Sequence, residues 1–216
     1  MSELRFHISA VRVEPYAIIP TLIFRLKIGE SSGEQIHAIV LRCQIQIDPR
    51  QRRYSPGEEV QLLELFGTPD RWRDSLRTLL WTQTSLMVPG FHDEIEIDLP
   101  ITCTYDFEVV AAKYLQSLEA VTVPLAFLFS GTIFTRGQLG FSVEQIPWDK
   151  EAAFGLPVQL WRDLMDRYFP GSAWIRLRRE NFDALYRFKG RRALPSWDDA
   201  VVALLKEAGA SEKNEI

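Results

Sequence analysis

Apolar and polar residues alternate along most of the first two thirds of the chain. The clearest stretch starts at Glu94: Ile95, Ile97, Leu99, Ile101, Cys103, Tyr105, Phe107 and Val109 hold one phase, and Glu94, Glu96, Asp98, Thr102, Thr104, Asp106 and Glu108 the other. A period of two predicts a strand with one face on a core and one in water. Pro100 lies inside it and predicts an edge position or a bend. Phe6, Ile8 and Ala10 predict an earlier strand. A second runs from Tyr16 through Ile18, Pro20, Leu22, Phe24, Leu26 and Ile28, with Arg25 and Lys27 on the other phase. The turn Gly29–Gly33 then leads to Ile39, Leu41, Cys43, Ile45 and Ile47, read as its hairpin partner.

The period changes after Tyr54. Ser55 with Glu58 forms a capping-box pattern, Pro56 suits the first helical position, and Gly67 can end the helix. Thr68 and Pro69 open a second helix carrying Trp72, Leu76, Leu79 and Leu80, so a helical pair is expected at about 55–85. The longest apolar run, Pro124–Phe134, predicts a strand covered on both sides. Gly131 inside it marks a bulge or a close backbone approach. Arg136–Gly140 reads as a turn, with Phe141, Val143 and Gln145 returning and Ile146–Asp149 leading out of the sheet. From Pro157 the spacing is helical: Val158, Trp161, Leu164, Met165 and Tyr168, then Phe182, Leu185 and Tyr186 before Gly190, then a helix capped by Ser196 and Asp199 with Trp197, Val201, Leu204 and Leu205 facing inward.

This order predicts an α+β fold: a mostly antiparallel sheet of about six strands at 1–150, interrupted by the helical pair, with the helices of 151–216 packed on it in one compact unit. Among 216 residues, 46% are hydrophobic and 12% aromatic, which suits a folded globular chain rather than a disordered one. No apolar run reaches the length of a membrane span, and no basic, then apolar, leader is read at the start, so a cytoplasmic protein is expected. The net charge of −4 argues against nucleic acid as the main partner. Cys43 and Cys103 are read as buried reduced thiols.

Candidate chemistry is sparse. His7, His37 and His92 are widely spaced, and neither paired-cysteine nor paired-histidine metal motifs occur. Neither phosphate-binding glycine fingerprint nor Gly-x-Ser-x-Gly is present, so no cofactor, metal or catalytic residue is assigned. Glu94, Glu96 and Asp98 read as a solvated strand face. Arg50, Arg52 and Arg53, like Arg176, Arg178 and Arg179, read as solvated surface able to meet an acidic partner. Trp148, Asp149, Lys150 and Glu151 fall where the sheet is expected to give way to helices. Trp148 is read first as a plug of that junction. The functional alternative is a docking surface made with Arg136.

The segments PTLIFRLKI, HAIVLRCQIQIDP, YDFEVVAAKYL, PLAFLFSGTIF, PWDKEAAF, MDRYFP and ALPSWDDAVVALL resemble a bacterial family known only as a domain of unknown function, over nearly the whole chain. Its members are often encoded near nickel–iron hydrogenase structural and maturation genes. The resemblance therefore implies an accessory role and implies no activity or catalytic residues. A shorter similarity, in NFDALY (181–186) and the GTIF strand, is to the SecB export chaperone. The leading expectation is a non-enzymatic accessory or chaperone-like protein that binds another protein, such as a hydrogenase subunit or maturation factor. A homo-oligomer is compatible with this reading. The alternative is a small-molecule-binding or enzymatic domain with its pocket between sheet and C-terminal helices.

Overall fold

The computed structural model describes residues 2–103, 109–119, 122–137, 140–171, 175 and 177–209. The chain divides into two compact units, Met1–Ser172 and Ala173–Ile216.

The first unit is built on two antiparallel sheets. One has the order β1 (Leu4–Val13), β2 (Thr21–Glu30), β5 (Glu94–Thr102). The other runs β4 (Leu79–Phe91), β3 (Ile36–Ile47), β6 (Thr122–Gly137), β7 (Gly140–Gln145), with β8 (Glu151–Pro157) also paired to β6. The α+β class and the antiparallel pairing hold, with eight strands in two sheets among the described residues rather than about six in one. The sheets face each other across a core of aromatic and branched side chains. Phe24 of β2 meets Phe127 of β6 edge-on at 5.1 Å, and Phe6 of β1 stacks on Phe129 of β6 at 4.3 Å. Such contacts add specificity to the burial that drives the two layers together.

Several expectations are corrected. β2 and β3 do not pair; the turn after β2 carries the chain from one sheet to the other. The Glu30 carboxylate shapes that crossing by accepting the amides of Glu3, Ser32, Gly33 and Glu34. Tyr16 and Ile18 are 90% and 97% exposed, so the second strand starts only at Thr21. In β1 the register shifts between Ile8 and Ala10, which turns Ala10 outward and half-buries Val11 and Val13 instead. β6 is fully buried on one side only, through Val123, Leu125, Phe127 and Phe129, whereas Ala126 and Leu128 are half-buried. In β5 the alternation holds from Ile95 to Cys103; positions 104–108 lie outside the described residues.

The helical insertion is shorter than expected. α1 (Pro56–Phe66) has the predicted Ser55–Glu58 capping box, followed by a 3-10 turn, Pro69–Arg71, and the single turn α2 (Trp72–Ser75). Leu79 and Leu80, assigned to a helix, open β4 opposite Ile47 and Gln46. Their spacing fits a helix locally, but pairing with β3 satisfies a whole strand of backbone groups. α3 (Val109–Gln116) follows β5, and α4 (Val158–Tyr168) buries Val158, Trp161, Leu164 and Met165 as their spacing predicts. Residues 151–157, expected to leave the sheet, return to it as β8.

The second unit is a helical hairpin, α5 (Arg179–Arg191) and α6 (Trp197–Glu207). α6 has the predicted Ser196–Asp199 capping box, while Gly190 lies inside α5 instead of stopping it. Trp197 packs against Phe182 and Tyr186. Only Ala200 is buried in these helices; Trp197, Val201, Leu204 and Leu205, expected inward, are exposed.

Candidate functional site

The residues expected to dock a partner fall in two places. Trp148 and Asp149 form the turn between β7 and β8, beside the middle of β6. The turn is tied down by its backbone: Ile146 N donates to Gly131 O at 2.9 Å, and Phe129 N donates to Lys150 O at 2.9 Å. Glu151 begins β8 opposite Leu128. Trp148 does not plug a sheet–helix junction, because β8 follows it and the indole is 95% exposed. Arg136 sits opposite Phe141 near the far end of β6. It lies five residues beyond Gly131, or about 16 Å along the strand, so the fold does not join it to the Trp148 turn.

β6 changes neighbour at this point. It pairs β8 up to Leu128 and β7 from Thr132, with the Trp148 turn spanning the interval. Gly131 lies there with φ 141°, and a Cβ would come within 2.0 Å of Val40 O. The β3–β6 register runs through Gly131 without a shift, so the glycine serves a close backbone approach and not a bulge.

A second site was only partly visible in the sequence. Arg50, Arg73, Asp74, Leu76, Arg77 and Thr78 line a cleft of about 470 Å³ where the 3-10 turn Pro49–Gln51, α2 and the start of β4 meet. Three arginines and one aspartate are among its lining residues. Asp48 caps the 3-10 turn and grips Arg50, with Nε donating to Oδ1 at 3.0 Å and Nη2 to Oδ2 at 3.3 Å. Burial disfavours the charge on Asp48, but the bonds from Arg50 and Gln51 outweigh it and hold the carboxyl below its ordinary value. Arg50 is therefore preorganised, while no ion pair is described for Arg73 or Arg77 among the described residues.

Arg52, expected at the surface, instead turns its side chain inward onto Glu58. Its side chain is 9% exposed and its Nη2 donates to both oxygens of Glu58, 3% exposed, at 2.7 and 2.9 Å. The guanidinium lies 4.6 Å over the Tyr54 ring. Tyr54 donates its hydroxyl proton to Pro49 O at 2.7 Å and lies 2.8 Å from the Tyr114 hydroxyl. Tyr114, Phe66 and Trp72 complete an aromatic wall. Burial raises both tyrosine hydroxyls, and the Glu58 carboxyl is held below its usual range because the Ser55 and Glu119 amides and Arg52 outweigh its desolvation. The cluster fixes the turn bearing Arg50. The Ser55–Glu58 cap was legible; that Glu58 would also take Arg52 inward was not, because arginines in loops usually stay solvated.

The remaining candidates offer little chemistry. Glu94, Glu96 and Asp98 lie on the solvated face of β5. Glu94 pairs with Lys27, and Asp98 with Arg25 and Arg12. Such exposed pairs contribute little. Both cysteines are buried, and burial pushes the Cys43 thiol to about 12, which keeps it protonated. Among the described residues no cluster of three or more His, Cys, Asp or Glu could hold a metal, and no helix is long and apolar enough to cross a membrane. Arg178 and Arg179 are exposed, whereas Arg176 lies outside the described residues.

Comparison with curated proteins finds no match. Among solved structures, a β-glucosidase from Kluyveromyces marxianus is similar at 7% identity and TM-score 0.27, over 71% of this chain and 15% of that one. The putative ApaA protein from Bordetella pertussis is similar at 14% identity and TM-score 0.26, over 72% of this chain and 94% of that one. β-Glucosidase 3B from Thermotoga neapolitana is similar at 11% identity and TM-score 0.24, over 72% and 17%. The chain thus spans under a fifth of the length of either β-glucosidase. At these scores the likenesses carry no argument about function. Residues 1–213 match the family of unknown function DUF6084, and the chain belongs to that family.

Proposed function

We propose that the protein is a non-enzymatic binding module that docks another protein through the Trp148 turn and the neighbouring outer face of the five-stranded sheet. The exposure of Trp148 carries this reading. An indole left 95% in water at a backbone-anchored turn is a preformed anchor. Burying about 200 Å² of it at about 25 cal/mol per Å² gains roughly 5 kcal/mol before ordering costs. Asp149, Lys150 and Glu151 supply a polar rim. The partner chemistry favoured by the family resemblance is a hydrogenase subunit or maturation factor.

The test is co-purification from the native host with tagged wild type and Trp148→Ala. Wild type should retain a hydrogenase component. Trp148→Ala should lose it while its melting temperature stays unchanged, since the side chain contributes almost nothing to the core. Equal capture by both proteins would overturn the assignment of the turn, and capture of no hydrogenase component would overturn the partner.

The arginine cleft favours a second reading, a small organic anion held by Arg50, Arg73 and Arg77 with the Thr78 hydroxyl. Pyrophosphate or citrate should raise the melting temperature of wild type and not of Arg73→Ala/Arg77→Ala. No shift in wild type at millimolar ligand would remove this reading.

A further inference from the structure

The edges of the two sheets are defended unequally. An open edge presents unpaired backbone donors and acceptors, and proteins usually blunt it with charge, proline, a bulge or shortness. β1 carries Arg5, His7 and Arg12 and a register shift at Ser9. β5 carries Glu94, Glu96, Asp98 and Pro100. β7 and β8 are six and seven residues long, with Glu144 in one and Glu151 and Pro157 in the other. β4 is 13 residues long, forms the outer edge of the larger sheet, and contains no charged residue. Its one irregularity lies near Trp81, where the register with β3 shifts, and its one proline is Pro89.

Between those points Thr82–Val88 runs in unbroken register opposite Ile45–Ile39, a straight edge of about 24 Å. Its backbone groups on the side away from β3 bond no other described residue. Gln83, Ser85 and Met87 point to the exposed face, with Met87 66% exposed, while Thr82, Thr84, Leu86 and Val88 line the core side.

We infer that this edge is a homodimer interface, in which β4 of one copy pairs antiparallel with β4 of a second copy about a two-fold axis at Ser85. The segment is self-complementary in that arrangement. Ser85 faces its own copy, Gln83 faces Met87, Thr84 faces Leu86, and Thr82 faces Val88. Each pair joins residues of the same face, so the core side of one sheet continues into the core side of the other. No like charges meet, and the two five-stranded sheets become one continuous sheet. A two-fold pairing also closes the assembly, so the open edge is used up and does not propagate into a fibre.

The test is sedimentation of the full chain across concentration, with hydrogen exchange on the same samples. Wild type should associate to about twice its 24.9 kDa mass, and amides within Thr82–Val88 should exchange more slowly as concentration rises. Ser85→Lys places two ammonium groups opposite each other, beside Arg42 of each copy, and should weaken association by about tenfold or more while leaving the monomer folded. A wild type that stays monomeric at every concentration would overturn the inference. So would a dimer that Ser85→Lys leaves intact, or protection of β4 that appears only when a different protein is added. Should Ser85→Lys misfold, the concentration dependence of exchange in wild type decides alone.

Discussion

Replacing Arg52 with Met should be among the costliest changes outside the sandwich core. Met keeps much of the apolar stem but removes the guanidinium from a pair whose members are 9% and 3% exposed. Two charged hydrogen bonds are lost, at 2.7 and 2.9 Å, each of a kind that contributes about 1.5–3 kcal/mol. The desolvation of the guanidinium is recovered, so these do not simply add. Breaking one side of a buried pair typically costs about 3–5 kcal/mol because the other charge is stranded. Glu58 would keep the amides of Ser55 and Glu119, which favours the lower end, about 3 kcal/mol. Urea unfolding at pH 7 of wild type, Arg52→Met, Glu58→Gln and the double variant would measure it. The double variant should cost about 2–3 kcal/mol less than the sum of the singles, because it strands no charge. The pH dependence has a definite sign. The folded Glu58 carboxyl lies below its ordinary 4.5, so its contribution is present above that pH and is lost as pH falls through the folded value. The gap between wild type and Arg52→Met should therefore narrow below about pH 4.5. A cost under about 0.5 kcal/mol, or strict additivity of the singles, would refute the view of this pair as a stabilising keystone.

Other consequences follow from the same geometry. Gly131→Ala places a Cβ about 2.0 Å from Val40 O at a positive φ, so the β3–β6 pairing must spread; a loss of about 2–4 kcal/mol in thermal or urea unfolding is expected, and a neutral variant would mean the close approach is not maintained in solution. Phe127→Asp puts a carboxylate at a fully buried position against Phe24 and should abolish cooperative folding, since an unpaired buried charge costs several kcal/mol, on the order of the whole stability; a soluble variant with a sharp melt would contradict the core assignment. For Glu30, burial opposes ionisation, but the Ser32 hydroxyl and the amides of Ser32, Glu3 and Gly33 pull its carboxyl down to about 2. It stabilises the fold above about pH 4.5 and loses that effect as pH falls toward 2. Glu30→Gln should cost about 1–2 kcal/mol at pH 7, after discounting for nearby solvent, and should flatten the acid limb of the stability–pH curve; an unchanged limb would exclude Glu30 as its source.

The sequence by itself determined the local elements where one interaction range sufficed. The alternation from Ile95 to Cys103, the capping boxes at Ser55 and Ser196, and the buried stripe Val158, Trp161, Leu164 and Met165 all depend on neighbours within one turn or one strand. It also showed that Gly131 was special, because a glycine inside the most apolar run needs a backbone reason. Tertiary structure decided what no periodicity contains. Period two is the same whichever strand pairs with which, so the split into two sheets, the separation of β2 from β3 and the edge position of β4 were settled by the facing of Phe24 and Phe6 against Phe127 and Phe129. Leu79 and Leu80 fit a helix locally but gain a full ladder by joining β3. For the candidate sites the division is similar. The residue types at 148–151 were legible as surface, but the exposure of Trp148 depends on β8 returning to β6. Arg50 and Arg52 are two residues apart, yet one lines an open cleft and the other is buried on Glu58 because helix α1 holds that carboxylate at its first turn. Charge in a loop goes inward only where the fold supplies its partner, and that partner is supplied by packing.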